Sequence, residues 1–325
     1  MKFCNYLFTA LNFEPSCISP CCDVRRAGVP SFPFSGEQLD MESYFRSVFA
    51  FFMELQNDST PCEGCPELRT TLAPLPENFA IGLKINSISV NHHRFFCNCR
   101  CVYCDLWHAK QAAASPRPYA ILPTLKQLAA SRVLGAHPSI SWGGGEPTIL
   151  DEFEETGVWA LENGFHQYVH TNALRYSPAV ARILSRGEGM VNVSLDSHDA
   201  ASYRKIKGVD GWGAVMETLK AYVAASGAGQ GAGQGVELKY IIFDSTNNLR
   251  DIQRFFALCQ SLGVTRVLYS LNFCEINAKA ISEKTLYAGA FFRQMAKKCG
   301  MTVNPFYLTA NLMQQLDEFE KRLGE

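Results

Sequence analysis

The sequence predicts an α/β fold built on a parallel sheet, and three observations lead there. From about Phe79 onward, short apolar runs suited to buried strands alternate with amphipathic stretches of helical period. The chain has 325 residues, 47% hydrophobic and 19% charged, which supports a large core and excludes disorder. A glycine-rich turn, Gly143-Gly144-Gly145-Glu146-Pro147, follows directly on an apolar run. That is the carboxyl end of a strand, where parallel folds bind ligands.

The strands are expected at residues 81–90, 139–142, 167–170, 190–195, 236–243 and 266–271. Helical periodicity falls between them at 124–134, 179–185, 214–225 and 249–262. After Ala278 come a helix, a short apolar segment at 301–303 and a charged terminal helix. A Pro-bearing stretch at 70–76 reads as a linker. It separates a cysteine-rich module, residues 1–75, from the α/β part at 79–310, with a closing helix at 311–325. Residues 227–235, GAGQGAGQG, read as a flexible solvent loop; they follow a helix instead of opening one, so they are no phosphate loop.

The formal charge of -1 leaves no electrostatic footprint for nucleic acid, and no apolar run reaches the length of a membrane span. The opening MKFCNYLFTALNFEP lacks a signal-peptide core and cleavage site. Thirteen cysteines without an export signal suit metal ligation in a reducing compartment, so a cytoplasmic location is expected.

Residues 97–104 read Cys97-Asn98-Cys99-Arg100-Cys101-Val102-Tyr103-Cys104. Taken as Cys97, Cys101 and Cys104, the spacing is C-x3-C-x2-C with an aromatic before the last cysteine. Three thiolates on one tight loop hold three irons of a [4Fe–4S] cube and leave the fourth open to a substrate or cofactor. Cys99 reads as a buried or idle thiol. The competing reading is zinc, which also takes clustered cysteines, with His92 and His93 just upstream. Zinc sites usually present their ligands as two separated pairs, and no such partner pair follows.

The cysteine loop and the later Gly144-Gly145-Glu146-Pro147 together resemble the radical S-adenosylmethionine (radical SAM) superfamily. The resemblance covers residues 79–273 and implies a partial (βα)6 barrel. It implies a [4Fe–4S] cluster on Cys97, Cys101 and Cys104 whose open iron chelates SAM. An electron from the cluster would then cleave SAM to methionine and a 5′-deoxyadenosyl radical, with a flavodoxin or ferredoxin type of donor. Gly144, Gly145 and Glu146 match the element that binds the methionyl amino group, and Tyr103 is placed to pack on adenine. Asn172, in His170-Thr171-Asn172, matches a TNG turn with Ala173 where glycine is usual. Ser194, in Asn192-Val193-Ser194-Leu195-Asp196, matches an SxD segment near the SAM carboxylate or ribose. Arg204, in Tyr203-Arg204-Lys205-Ile206-Lys207-Gly208, suits a bidentate contact with that carboxylate.

The amino-terminal cysteines resemble the SPASM or twitch auxiliary-cluster modules of the same superfamily. CNYLFTALNFEPSCISPCC supplies a cysteine, a hairpin with a turn and a PC, and CEGCPEL supplies the C-x2-C. A second [4Fe–4S] cluster on Cys4, Cys21 or Cys22, Cys62 and Cys65 is implied, although such modules normally follow the barrel. Zinc on the same four sulfurs is the alternative. Cys17 falls at the turn, and Cys259, Cys274 and Cys299 read as small hydrophobes. The substrate class implied first is a peptide or protein, with a small metabolite or sugar next. A zinc- or cluster-binding interaction module without catalysis would explain the cysteines but neither the glycine turn nor the βα alternation.

Overall fold

The computed structural model describes residues 1–21, 28–36, 38–57, 60–63, 65, 67–70, 84–104, 117–227 and 234–324. Cys22, most of the expected linker at 70–76 and most of the glycine-rich loop at 227–235 lie outside them. The chain divides into two compact units, residues 1–96 with 115–168, and residues 97–114 with 169–325.

The first unit contains β1 (Lys2–Cys4), α1 (Asn5–Thr9), β2 (Ala10–Glu14), β3 (Cys17–Ser19), β4 (Phe32–Pro33), α2 (Met41–Glu54) and β5 (Leu68–Thr70). It continues with β6 (Ile85–Val90), α3 (Leu122–Ala130), β7 (Leu134–Trp142), a 3-10 turn at Pro147–Ile149 and α4 (Phe153–Glu162). Its main sheet runs β7–β6–β2–β3–β4. β6 pairs parallel with both β7 and β2, and the hairpin β2–β3 is antiparallel. All five β2 residues are buried, so the amino-terminal segment adds a strand to this sheet. α2, which periodicity did not single out, starts where Asp40 accepts from Ser43 N at 3.1 Å. It buries Tyr44, Val48, Phe51 and Phe52, each contributing roughly 2 kcal/mol by removal from water.

α3 ends at Ala130, short of the expected 134, because Arg132 turns left-handed at φ 55° and Leu134 already starts β7. β7 is longer than expected. Its register against β6 jumps from Ile85↔Leu134 to Ser87↔Ser139, a bulge that takes up Gly135 and Pro138. A Cβ on Gly135 would lie 1.8 Å from Asn86 Oδ1, so any larger residue there would have to turn the Asn86 side chain aside.

β8 (His166–Thr171) carries the chain from the first unit into the second. There β9 (Gly189–Ser194), β10 (Val236–Ile242), β11 (Arg266–Leu271) and β12 (Thr302–Pro305) are parallel in the order β12–β11–β10–β9. The helices are α5 (Pro178–Arg186), α6 (Ala200–Lys207), α7 (Trp212–Ser226), α8 (Leu249–Ser261), α9 (Phe273–Ala278), α10 (Glu283–Lys298) and α11 (Ala310–Gly324). α5 shows why the boundaries fall where they do. Ser177 accepts from Val180 N at 3.2 Å, Pro178 opens the helix, and Gly187 closes it at φ 69°.

One face of this second sheet is apolar: Val191, Val193, Leu238, Tyr240, Val267 and Tyr269 are buried. Tyr240 meets Phe255 of α8 at 4.8 Å and Tyr269 stacks on Phe292 of α10 at 5.6 Å between ring centroids. The opposite face carries Asn192, Ser194, Glu237, Lys239 and Asn304, since side chains alternate along each strand. The result is an α/β architecture with a mostly parallel sheet. Among the described residues no helix is long and apolar enough to cross a membrane.

Candidate functional site

The cysteine loop hangs from the carboxyl end of α6. Arg100 N donates to Lys207 O at 2.8 Å and Val102 N to Ile206 O at 3.0 Å. Gly208 makes this docking work: it turns left-handed at φ 68°, and a Cβ there would sit 2.7 Å from Arg100 O. Inside the loop Cys104 N donates to Cys101 O at 3.1 Å and Cys99 N to Cys97 Sγ at 3.4 Å. Cys99 is buried, whereas Cys97, Cys101 and Cys104 are half-buried.

Hydrogen bonding from the Cys99 thiol lowers Cys101 to about 6, helped by the Lys207 ammonium and opposed by burial. Cys99 is pushed far up by its bonds to Cys101 and Cys97 and by burial. Cys99 and Cys101 thus share a hydrogen bond within the loop, and the Lys207 ammonium favours a thiolate there, the form that ligates soft metals. The half-buried donor set of the loop, Cys97, Cys101 and Cys104, is three thiols, a chemistry that fits an iron–sulfur cluster. Among the described residues no three such donors converge on one point as they do for a single ion.

Asn172 steadies the loop. Its Nδ2 donates to Asn98 Oδ1 at 2.6 Å and reaches Cys97 Sγ at 3.8 Å, while its Oδ1 accepts from Leu174 N at 3.0 Å. Ala173 next to it is fully buried at φ 57°, a left-handed conformation that glycine would take without strain.

Behind the loop lies a group that the motifs did not assign. Asp196 is fully buried at the end of β9 and accepts from Ile241 N at 2.7 Å through Oδ1. Its Oδ2 accepts from Tyr103 OH at 2.6 Å and from Lys207 Nζ, which also reaches Tyr103 OH at 2.9 Å. Burial opposes the charge on Lys207, yet Asp196 and then Cys101 hold its ammonium above the ordinary lysine value. The Tyr103 ring meets Phe243 edge-on at 5.7 Å, so its hydroxyl is anchored inward and the ring is half-buried. Ser194 is half-buried on the polar sheet face, and Arg204 is exposed on α6. Asp196 and Lys207 stand inside the quoted SxD and IKG segments, but nothing local in the sequence signals their pairing.

The glycine turn belongs to the first unit. Gly143 N donates to Val90 O at 3.1 Å, and Glu146 N to Phe96 O at 2.7 Å. Gly144 is left-handed at φ 86° with Arg94 Cβ only 3.0 Å from where its own Cβ would be. A Cβ on Gly145 would meet Phe96 O at 2.1 Å and His93 O at 2.3 Å. Both glycines are therefore required by the close approach of the 91–96 turn, which leads directly into Cys97. Glu146 is buried and accepts from Thr148 N at 3.2 Å and Thr148 Oγ1 at 2.7 Å, capping the 3-10 turn. His92 and His93 are buried within the same turn, and burial lowers His92 to about 4 and His93 further.

Also in the first unit, burial raises the Cys4 thiol, and Cys21 and Cys65 stand close enough to raise it more. Cys65 N donates to Cys62 O at 2.9 Å, closing the C-x2-C turn, and Asn12 Nδ2 holds Cys21 O at 2.9 Å. Cys17 lies at the other end of β3, opposite Pro33.

The polar face of the second sheet holds residues that no motif named. Glu237 accepts from Asn192 Nδ2 at 2.8 Å and Asn304 Nδ2 at 2.6 Å. Burial, with Lys239 beside it, lowers His170 to about 4. Burial lowers Lys239 to about 8, and Asp196 opposes that shift.

This fold and this cysteine loop point to a class: residues 92–228 match the family model described as Radical SAM superfamily. Among individual proteins, the chain is 32% identical to the GTP 3′,8-cyclase of Klebsiella pneumoniae subsp. pneumoniae over 132 residues, 40% of each chain. It is 25% identical to the mycofactocin maturase MftC of Mycobacterium ulcerans over 198 residues, 60% of this chain and 50% of that protein. The chain thus spans half or less of the length of these two curated relatives. Its fold is similar to that of Streptococcus suis SuiB bound to S-adenosylmethionine, with a TM-score of 0.53, 14% identity and coverage of 87% and 59%. SuiB bound to precursor peptide SuiA matches with a TM-score of 0.52 and 14% identity over 98% of this chain and 75% of that one.

Proposed function

We propose that this protein is a radical SAM enzyme that uses a [4Fe–4S] cluster held by Cys97, Cys101 and Cys104. The observation that carries the reading is the loop itself, three half-buried thiols with Cys99 turned inward, in a stretch that matches the superfamily. When bound, the cluster supplies the electron that cleaves SAM and so provides a radical able to abstract hydrogen from an unactivated C–H bond. The chain's own residues set that chemistry up. α6 and Asn172 fix the loop, while Lys207 and Asp196 place a compensated charge pair behind the sulfurs. Tyr103, Gly144, Gly145, Glu146, Asn172, Ser194 and Arg204 are assigned to SAM by their motifs. For Gly144 and Gly145 a packing requirement stands beside that role.

A second [4Fe–4S] cluster on Cys4, Cys21, Cys62 and Cys65 is the finer part of the proposal. The nearness of Cys21 and of Cys65 to Cys4, with a hairpin between Cys4 and Cys21, supports it. Four thiolates leave no open iron, so this cluster would relay electrons or cover the fold without touching SAM. The proposed substrate class is a peptide, since a mycofactocin maturase is among the relatives and a SuiB–precursor peptide complex shares the fold.

Anaerobic reconstitution with iron and sulfide, then dithionite and SAM, tests the activity. Formation of 5′-deoxyadenosine and methionine is expected. A brown, SAM-binding protein that forms neither product would sink the enzymatic reading.

A further inference from the structure

We propose that Lys239 anchors a binding site for a single substrate carboxylate, walled by Phe273, Phe306 and Tyr307 at the carboxyl edge of the second sheet. The proposal rests on the radical SAM reading, since it assigns a substrate contact to that enzyme. The Lys239 ammonium lies 4.5 Å from the ring centroid of Phe306 and 5.6 Å from that of Phe273. It makes no hydrogen bond or ion pair to any described residue. A half-buried ammonium against two aromatic faces has given up part of its water without gaining a carboxylate, and ring contacts offset only part of that loss. An anion arriving from outside completes its shell.

The charges around Lys239 set the size of that anion. Glu237, two residues back on the same face, has both oxygens engaged by Asn192 and Asn304. Arg266 is the ladder neighbour of Glu237 on β11. Asp196 and Lys207 pair with each other, and His170 is kept neutral at neutral pH by burial. Among the described residues Lys239 has no opposite charge paired with it. A carboxylate matches that one charge, whereas a phosphate group would bring two negative charges beside Glu237 and the Cys101 sulfur.

The walls suit an organic acid. Tyr307 is 57% exposed and Phe306 36%, and Tyr307 packs edge-on to Phe273 at 4.9 Å. The Cys101 and Cys104 sulfurs are near enough to act on the Lys239 charge, so a ligand held there stands beside the cluster loop. An acidic side chain or terminal carboxylate of a peptide has the required chemistry. The other source of one carboxylate is the methionyl end of SAM, because Lys239 is the ladder neighbour of Ser194.

The full chain, reconstituted anaerobically, is titrated calorimetrically with hippurate, which joins one carboxylate to an aromatic ring. Hippuramide, its neutral amide, is the control. Wild type is expected to bind hippurate about tenfold or more tighter than hippuramide. Lys239→Gln should lose that preference and Lys239→Arg should regain it, with the SAM Kd of both within about twofold of wild type. A wild type with no preference, or a Lys239→Gln variant that keeps it, overturns the proposal. So does a Lys239→Gln variant whose SAM Kd rises about tenfold, which would give the lysine to SAM. Iron content and 5′-deoxyadenosine, measured on the same preparations, report on the radical SAM reading separately.

Discussion

Tyr103 donates its phenolic hydrogen to Asp196 Oδ2 at 2.6 Å, and the fully buried Lys207 holds the same oxygen. The Tyr103 hydroxyl thereby ties the cysteine loop to the ion pair between the end of β9 and the end of α6. Removing one partner strands a buried charge. Lys207→Met should cost about 3–5 kcal/mol of stability, and Tyr103→Phe only about 1 kcal/mol. Urea unfolding of the two variants checks the order; equal costs would show that the pair is not buried as described.

The register of the cysteine loop is tested by single substitutions. Cys97→Ala, Cys101→Ala and Cys104→Ala should each lose one cluster and all SAM cleavage, while Cys99→Ala keeps its iron. Iron and sulfide counts with 5′-deoxyadenosine decide it. Retained iron in Cys101→Ala with loss in Cys99→Ala would move the register.

Ala173 sits at φ 57°, where an L side chain costs about 1–2 kcal/mol. Glycine removes that cost but adds about 0.4–1 kcal/mol of unfolded-chain freedom. Ala173→Gly should therefore stabilise by up to about 1.6 kcal/mol, seen as a higher Tm with unchanged iron content. A lower Tm would mean that the alanine methyl is needed for packing.

For the amino-terminal cysteines, metal counts on wild type and on a Cys62→Ala/Cys65→Ala variant are the measurement. Loss of about four irons per chain is expected for an auxiliary [4Fe–4S] cluster. Loss of one zinc with iron unchanged would make the module structural.

His92 and His170 are both lowered to about 4 by burial, and His93 is lowered further. Unfolded histidine takes up a proton near pH 6.5 and these folded ones do not. Their contribution is complete above pH 6.5 and is lost as pH falls towards 4, on the order of 3 kcal/mol for a fully buried one. Urea midpoints at pH 7, 6 and 5 should fall steadily, and less so for His93→Leu. A flat profile would show that these rings are protonated in the fold.

Much of the second unit was legible because its strands and helices carry their own periodicity. β11 falls at the expected 266–271, and α5, α7 and α8 lie within two residues of expectation. The first unit was harder to read. β2 is a short segment whose burial comes from pairing with β6, far along the chain, and ALNFE has no alternation to announce it. α2 did carry a signal, Asp40 before apolar residues at helical spacing, but its aromatic content obscured the polar face. The end of α3 was missed because the apolar pattern continues through Val133 and Leu134 into a strand.

The sequence by itself determined that the cysteines and glycines of the site are grouped along the chain. Cysteines within eight residues are held in reach of one another by chain geometry alone, and glycines after a strand mark a close backbone approach wherever the strand lies. Only the tertiary structure decided what surrounds them. Tyr103, Asp196 and Lys207 come from three separate elements, and Lys239 meets Phe273 and Phe306 because β10, β11 and β12 are neighbours. Which charges pair and which is left over depends on strand order and burial, properties that no local spacing encodes.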